Sequence, residues 1–309
     1  MKVSIRDLSK MTGFSPATIS NALNHKKGVN RETAEEIFRV ARETGYLSAN
    51  AVTKIRLVIF KKNGQILEET PFFQQMIEGI EEECHRLGYE MVISHVDQRN
   101  PNYQKQVRDL LEEQGVGIIL LGTEMMDGDL SLYRNASCPV LLLDHWTESM
   151  DFNSVLINNA DAARAITEHL LDNGHREVGY LRGNYRIKAF RSRFIGFQTA
   201  LKKYKVPYKE EYTVTVGTYM STACQDMLEY LKKKPKLPTA FFADNDIIAL
   251  GAMKALQEMG YRIPEDISIV GFDDLTFSEI SSPPLTTLRV EKREMGKMAV
   301  RRLVELIDG

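Results

Sequence analysis

Apolar positions along the 309-residue chain follow two regimes. Up to residue 46 they recur every three or four positions in short bursts, the spacing of small amphipathic helices. Ser4 is placed to cap a first helix, with Asp7 three residues on as its reciprocal partner. Ile5, Leu8 and Met11 mark that helix's buried face. Gly13 ends it, where a positive φ costs little. Ser15 caps a second helix and Pro16 occupies its first position. Ile19, Ala22 and Leu23 then face inward, leaving Ala17, Ser20, Asn21 and Asn24 outward. Asn30 caps a third helix, which buries Ala34, Ile37, Phe38 and Ala41, and Gly45 closes it.

From residue 57 onward, short apolar runs alternate with longer helical patterns. The runs predict strands at Leu57–Phe60, Met91–Ser94, Gly117–Leu121, Val140–Leu143, Val155–Ile157, Val178–Leu181, Tyr212–Val216, Ala240–Phe242 and Ile267–Val270. Helices are predicted over Phe72–Leu87, Tyr103–Glu113, Ala162–Asn173, Arg193–Tyr204, Thr222–Lys233 and Ile247–Met259. Such alternation makes parallel sheets covered by helices on both faces. The strands are too many for one compact sheet, so two similar lobes are expected. No Gly-rich dinucleotide fingerprint follows the first strand, which disfavours a nicotinamide-dependent dehydrogenase.

Charge sharpens this division. The net charge of −2 carries no nucleic-acid signature. Its distribution does, because residues 1–56 sum to +5 and the remainder to −7. A basic head on an acidic body fits a DNA-contacting module attached to something that need not touch DNA. The three cysteines, Cys84, Cys138 and Cys224, lack metal-ligand spacing and read as thiols of a reducing cytosol. The six His are scattered as well. No metal and no cofactor is expected. There is no signal-peptide pattern and no run of membrane-helix length, so a cytoplasmic protein is expected.

Three helices with a Gly turn between the first two are the helix-turn-helix arrangement. Hydroxyls on the outward face can bond phosphates, and an Asn amide can pair with an adenine edge. A protein-interaction module would show the same polar face. In the body, ligands of doubly wound folds sit at the carboxyl ends of strands. There the sequence places Asp144-His145-Trp146, Asn158-Asn159, Asp244-Asn245-Asp246 and Gly271-Phe272-Asp273-Asp274. Amides and carboxylates beside aromatics suit a polyhydroxylated ligand. Asn159 and Asp246 could equally be helix caps. No nucleophile–base motif accompanies Asp273 and Asp274, so no catalytic residue is expected and the protein does not read as an enzyme.

These motifs together resemble the LacI/GalR family of repressors. In the head the resemblance rests on Val3–Lys10, Gly13–Asn24 and Ala41–Tyr46. In the body it rests on His169–Arg176, Arg193–Phe197, Ala243–Asp246 with Ala249–Gly251, Ile269–Asp274 and Pro283–Leu288. It implies an all-α helix-turn-helix head (1–46), a hinge (47–56) and an α/β body. The body would be two doubly wound lobes of the periplasmic-binding-protein-like type, 57–157 with 287–309 and 158–286. It implies a homodimer that reads palindromic half-sites of operator DNA and a small effector, a sugar or sugar derivative, bound between the lobes.

Base contacts would fall on Pro16, Ala17 and Asn21. Ser4, Ser15, Thr18, Ser20 and Asn24 complete the head's DNA-binding set, and Asn50 and Ile55 that of the hinge. Many members carry Arg where Asn21 stands, so the operator preference is expected to differ. The family's hinge wedges a Leu into the minor groove. Here Ile55 is the only candidate wedge, and it also reads as the first core residue of the strand. Effector contacts would fall on Asp144, Arg193, Asn245 and Asp273, with Tyr219 stacking and Phe72 and Phe73 at the mouth. The loop Lys61–Thr70 is longer than in the family. Family members usually continue into a further strand beyond Gly309, so the chain is expected to be short at that end. The basic run Arg182, Arg186, Lys188, Arg191 and Arg193 reads either as a solvated loop or as a site for an anionic effector. The competing class is a cytoplasmic sugar-binding protein without a regulatory role, against which the head argues.

Overall fold

A computed structural model describes residues 3–23, 28–46, 52–68, 70–149 and 151–308. The side chains of Arg31, Arg42 and Asp308 are outside that description, as are the expected DNA contacts Asn24 and Asn50. The chain divides into two units: Met1–Lys62, Gln74–Leu156 and Lys292–Gly309, and Asn63–Phe73 with Ile157–Glu291.

The first unit opens with three helices, α1 (Ile5–Thr12), α2 (Pro16–Leu23) and α3 (Arg31–Glu43). The Ser4 hydroxyl accepts from the Asp7 amide at 3.3 Å, and the Asp7 carboxylate accepts from the Ser4 amide at 2.9 Å. Gly13 follows α1 at φ 76°. Leu8, Ile19, Ala22, Ala34, Ile37, Phe38, Val40 and Ala41 form the head's core. Met11 departs from expectation, being 58% exposed. It lies on the last turn of α1, where the core has already closed over Leu8.

The rest of this unit contains β1 (Lys54–Lys61), α4 (Phe72–Leu87), β2 (Glu90–Asp97), α5 (Tyr103–Glu112), β3 (Val116–Leu121), β4 (Val140–Leu143) and β5 (Asn153–Val155). Its sheet is parallel, in the order β2-β1-β3-β4-β5. Ile55 pairs with Met91 and Gly117 inside this sheet and is fully buried. The expectation of a DNA-inserting Ile55 is therefore corrected: a side chain held in the strand core is not available as a wedge.

The second unit contains α6 (Asn159–Asp172), β6 (Val178–Gly183), α7 (Lys188–Lys203), β7 (Thr213–Val216), α8 (Met220–Lys232), β8 (Ala240–Ala243), α9 (Asp246–Glu258), β9 (Ser268–Val270) and α10 (Thr276–Ile280). Its parallel sheet runs β7-β6-β8-β9. Tyr180 on β6 meets Phe194, Phe197 and Phe242 at ring distances of 4.9, 5.0 and 5.5 Å, filling one face. Beyond α10 the chain runs beside the end of β9, where Gly271 and Asp273 donate to the carbonyls of Thr286 and Leu288 at 2.9 Å. These bonds keep 287–291 with the second unit, whereas the sequence assigned them to the first.

The final helix α11 (Lys292–Asp308) returns to the first unit. It buries Met295, Ala299, Val300 and Leu303. It crosses α4 at a pair of glycines. A Cβ on Gly79 would meet the Arg293 carbonyl at 2.0 Å, and one on Gly296 would meet the Met76 carbonyl at 2.2 Å. Only backbone fits at that crossing.

Candidate DNA-binding and effector sites

The DNA-facing candidates lie on α2 and the turn before it. Ser15 closes the first turn of α2, its hydroxyl accepting from the Thr18 amide at 3.0 Å and meeting the Thr18 hydroxyl at 2.8 Å. Ser15, Pro16 and Ala17 are exposed, while Thr18, Ser20 and Asn21 are half-buried. The first turn holds no acidic residue, so the positive end of the helix dipole is open to a phosphate. Ser4 is exposed too, but its hydroxyl also donates to Asp7 at 2.6 Å, and its side chain thus serves its own helix.

In the second unit the candidate effector residues gather at the carboxyl ends of the strands. Arg193 projects from α7 and is 4% exposed. Its guanidinium donates to the Asn159 side chain at 2.9 Å, to the Asp244 carbonyl at 2.6 Å and to the Asp273 carboxylate at 3.3 Å. The same guanidinium lies 3.7 Å from the Phe272 ring centre, a cation–π contact within a desolvated site. Asp273 and Asp274 both carry positive φ, 123° and 53°. The chain turns sharply as it leaves β9, and a non-Gly residue in that region stores strain that surrounding contacts must hold. Asn245 caps α9, accepting from the Ile248 amide at 3.0 Å. That bond uses its carbonyl oxygen and leaves its amide nitrogen as a donor.

Beneath these residues lies Asp244, fully buried, which sequence reasoning named only as a strand-end residue. It accepts from the Gly183 amide at 2.8 Å, from the Tyr180 hydroxyl and from Arg186. Burial pushes its carboxyl pKa up, and Arg186, Tyr180 and Gly183 oppose that rise by donating to the charged form. Next to it Asp246 is also fully buried, and accepts from Leu275, Ser278 and Thr287. The cap reading suggested for Asp246 belongs to its neighbour Asn245. The basic run is largely committed: Arg186 faces Asp244, Arg193 faces Asp273, and Arg182 lies 3.7 Å from Glu210.

In the first unit Asp144 leaves β4 with φ 57° and accepts from Thr123 at 2.7 Å. Thr123, at the end of β3, escaped the sequence reading because a lone Thr after an apolar run carries no distinguishing pattern. His145 beside it is fully buried. Phe72 and Phe73, which belong to the second unit, are buried and meet edge to face at 5.1 Å. The structure thus joins Arg193 to Asp273 in one network of the second unit, while Asn245 and Tyr219, at the start of α8, line a small cavity of the same unit. Among the described residues, no group of three His, Cys, Asp or Glu side chains is arranged to hold a metal ion. No helix among them is long and apolar enough to cross a membrane.

A helix-turn-helix head carried on two parallel-sheet units defines a ligand-responsive DNA-binding regulator. Residues 167–309 match the periplasmic binding protein-like domain. The HTH-type transcriptional repressor PurR of Mannheimia succiniciproducens is 31% identical over 307 residues, covering 98% of this chain and 91% of the relative. PurR of Haemophilus influenzae is 30% identical over 306 residues, covering 98% and 90%. The Lac repressor dimer bound to operator and the anti-inducer ONPF has a TM-score of 0.72 at 26% identity, covering 100% of this chain and 94% of that one. The transcriptional regulator CelR in complex with cellobiose has a TM-score of 0.73 at 25% identity, with the same coverage. The chain belongs to the LacI/GalR family of transcriptional regulators. It is a DNA-binding repressor whose action is regulated by a small-molecule effector, and its named relatives are repressors rather than enzymes.

Proposed function

We propose that the protein represses a metabolic operon from the cytoplasm as a homodimer, each head reading one half-site of a palindromic operator. Pro16, Ala17 and Asn21 contact bases. Ser15, Thr18, Ser20 and the N-terminal end of α2 contact phosphates. The effector is a small sugar or sugar derivative held by Arg193, Asn245 and Asp273, with Tyr219 as its stacking surface and Phe72 and Phe73 as further contacts.

The observation that carries this reading is the Arg193–Asp273 pair under the Phe272 ring. It offers fixed donors and acceptors beside an aromatic face, the combination that a polyhydroxylated ring requires. The commitment of Arg182, Arg186 and Arg193 to acidic partners favours a neutral ligand over an anionic one. CelR, a solved neighbour in complex with cellobiose, supports the same ligand class. Control follows from linkage: an effector that prefers one arrangement of the protein shifts operator affinity by the ratio of its affinities for the two arrangements.

Two experiments test this. A gel shift on the DNA flanking the gene is expected to lose about tenfold or more in affinity with Asn21→Ala, the cost of one bidentate base contact. Unchanged affinity would remove Asn21 from the reading face. A thermal-shift screen across mono- and disaccharides, sugar phosphates and nucleosides is expected to give a sugar hit that Asp273→Ala abolishes. A hit that survives Asp273→Ala would place the effector elsewhere.

A further inference from the structure

The stretch Asn63–Glu68, between β1 and α4, belongs to the second unit. Its sequence, Asn-Gly-Gln-Ile-Leu-Glu, is polar at both ends with two apolar residues inside, and it folds on itself. The Gln65 amide donates to the Asn63 side chain at 2.9 Å. The Gly64 carbonyl accepts from the amides of Leu67 and Glu68 at 3.2 and 3.1 Å, closing one tight turn. That turn aims Ile66 inward, and Ile66 is only 9% exposed. The side chains around it are those of the effector edge. Gln65, Ile66 and Thr70 line a cavity together with Thr218, Tyr219, Asn245 and Ile247. The Thr218 hydroxyl reaches the Gln65 carbonyl at 3.4 Å, a long bond that adds little to the apolar contact. What remains open is about 10 Å³, room for about one water molecule. A sugar does not fit beside Tyr219 and Asn245 while Ile66 is there.

We infer that this loop is a built-in occupant of the effector site. Ile66 takes the apolar place against Tyr219 that a ligand ring would take, and the effector must displace it to enter. Gln65 and Ile66 are then specificity determinants, because only a ligand that gains more from Tyr219 and Asn245 than the loop does can open the site. The inference rests on the effector reading given above. It adds a competitor that the chain itself supplies, and it predicts an effector affinity reduced by the fraction of molecules whose loop is open.

The test reads loop closure without any effector. Thr218 is 6% exposed beneath the loop, whereas Ser221 on α8 is exposed. The thiol introduced by Thr218→Cys is expected to react with iodoacetamide at least about tenfold more slowly than that of Ser221→Cys, since labelling must wait for local opening. Peptide mass spectrometry locates the label. Adding Ile66→Gly is expected to bring the two rates within about twofold, as the closed state loses its buried anchor. Ile66→Asp, which places a charge in the same position, is the second variant should the first fail to fold, and melting temperatures identify which variants are folded. Equal rates for the two thiols in the parent protein, or protection that survives Ile66 substitution in a folded variant, overturns the inference. The two readings fail separately. A protected thiol at position 218 with a sugar response that survives Asp273→Ala removes the effector assignment and leaves the loop contact. Rapid labelling at 218 removes the loop whatever the sugar screen returns.

Discussion

The two functional faces use their polar groups in opposite ways. On α2 the polar residues are exposed or half-buried, and the hydroxyls of Ser15 and Thr18 bond within their own first turn. At the effector edge of the second unit the polar residues are buried, and each supports several others: Arg193 joins Asn159, Asp244 and Asp273, and Asp246 joins Leu275, Ser278 and Thr287. A face that meets a phosphate backbone needs accessible groups, and water satisfies them until DNA arrives. A pocket for a small ligand must hold its donors and acceptors in place while desolvated, so they satisfy one another. Substitutions on α2 should therefore separate binding from stability, and substitutions at the effector edge should not.

The largest effect is expected at Asp246. Its carboxylate accepts from the Leu275 amide at 2.9 Å, the Ser278 hydroxyl at 2.7 Å and the Thr287 hydroxyl at 2.5 Å, all in a fully buried position. Asp246→Ala leaves three donors without an acceptor. The expected cost is about 3 kcal/mol, read as a lower midpoint in urea unfolding. A cost below about 1 kcal/mol would show that water replaces the carboxylate and that the edge is less self-contained than its hydrogen bonds imply.

Much of this architecture was legible in the chain. The apolar runs located all nine strands found among the described residues to within a few positions at each end, and α4 spans the residues its periodicity predicts. A buried parallel strand is a continuous apolar run between turn residues, which is a strong local signal. The caps Ser4, Ser15 and Asn30 are legible for the same reason, since the bond each makes is local. Three features were not read. The pattern Met295, Ala299, Val300 and Leu303 does mark α11, but the acidic and basic residues around it hide its single buried face. Ile66 carries no such signal, because one buried residue in a polar loop has no periodicity. The roles of Asp244 and Asp246 depend on partners 15 or more residues away, which no local pattern encodes.

An intermediate effect is expected at Glu83, which contrasts with both faces because it is buried yet serves no ligand. It sits on α4 with 2% of its side chain exposed, held by Arg86 at 2.5 Å and by Arg301 of α11 at 2.7 Å. Burial alone would raise its pKa, but the two guanidinium groups outweigh this and hold it at about 2, below the ordinary 4.5. A depressed carboxyl pKa stabilises the fold fully above about 4.5, and that contribution fades as pH falls toward 2. Glu83→Gln is expected to cost about 2 kcal/mol at neutral pH and to flatten the acid limb of a stability–pH profile between those values. An unchanged profile would mean that α11 is held to α4 by its apolar face and the glycine crossing alone.

The smallest stability effect separates the two roles combined at Ser15. The hydroxyl that caps α2 is exposed, so the same atom is available to DNA. Ser15→Ala removes one cap at a cost of about 1 kcal/mol, and Ser15→Asp restores the cap while adding a negative charge. If Ser15 acts on stability alone, the Asp variant recovers both melting temperature and operator affinity. If the hydroxyl also meets a phosphate, the Asp variant recovers the melting temperature but binds operator more weakly than Ser15→Ala, because its charge repels the backbone. Operator affinity that tracks stability through both variants would leave Pro16, Ala17 and Asn21 as the reading residues of α2 and move its phosphate contacts onto Thr18, Ser20 and the N-terminal end of the helix.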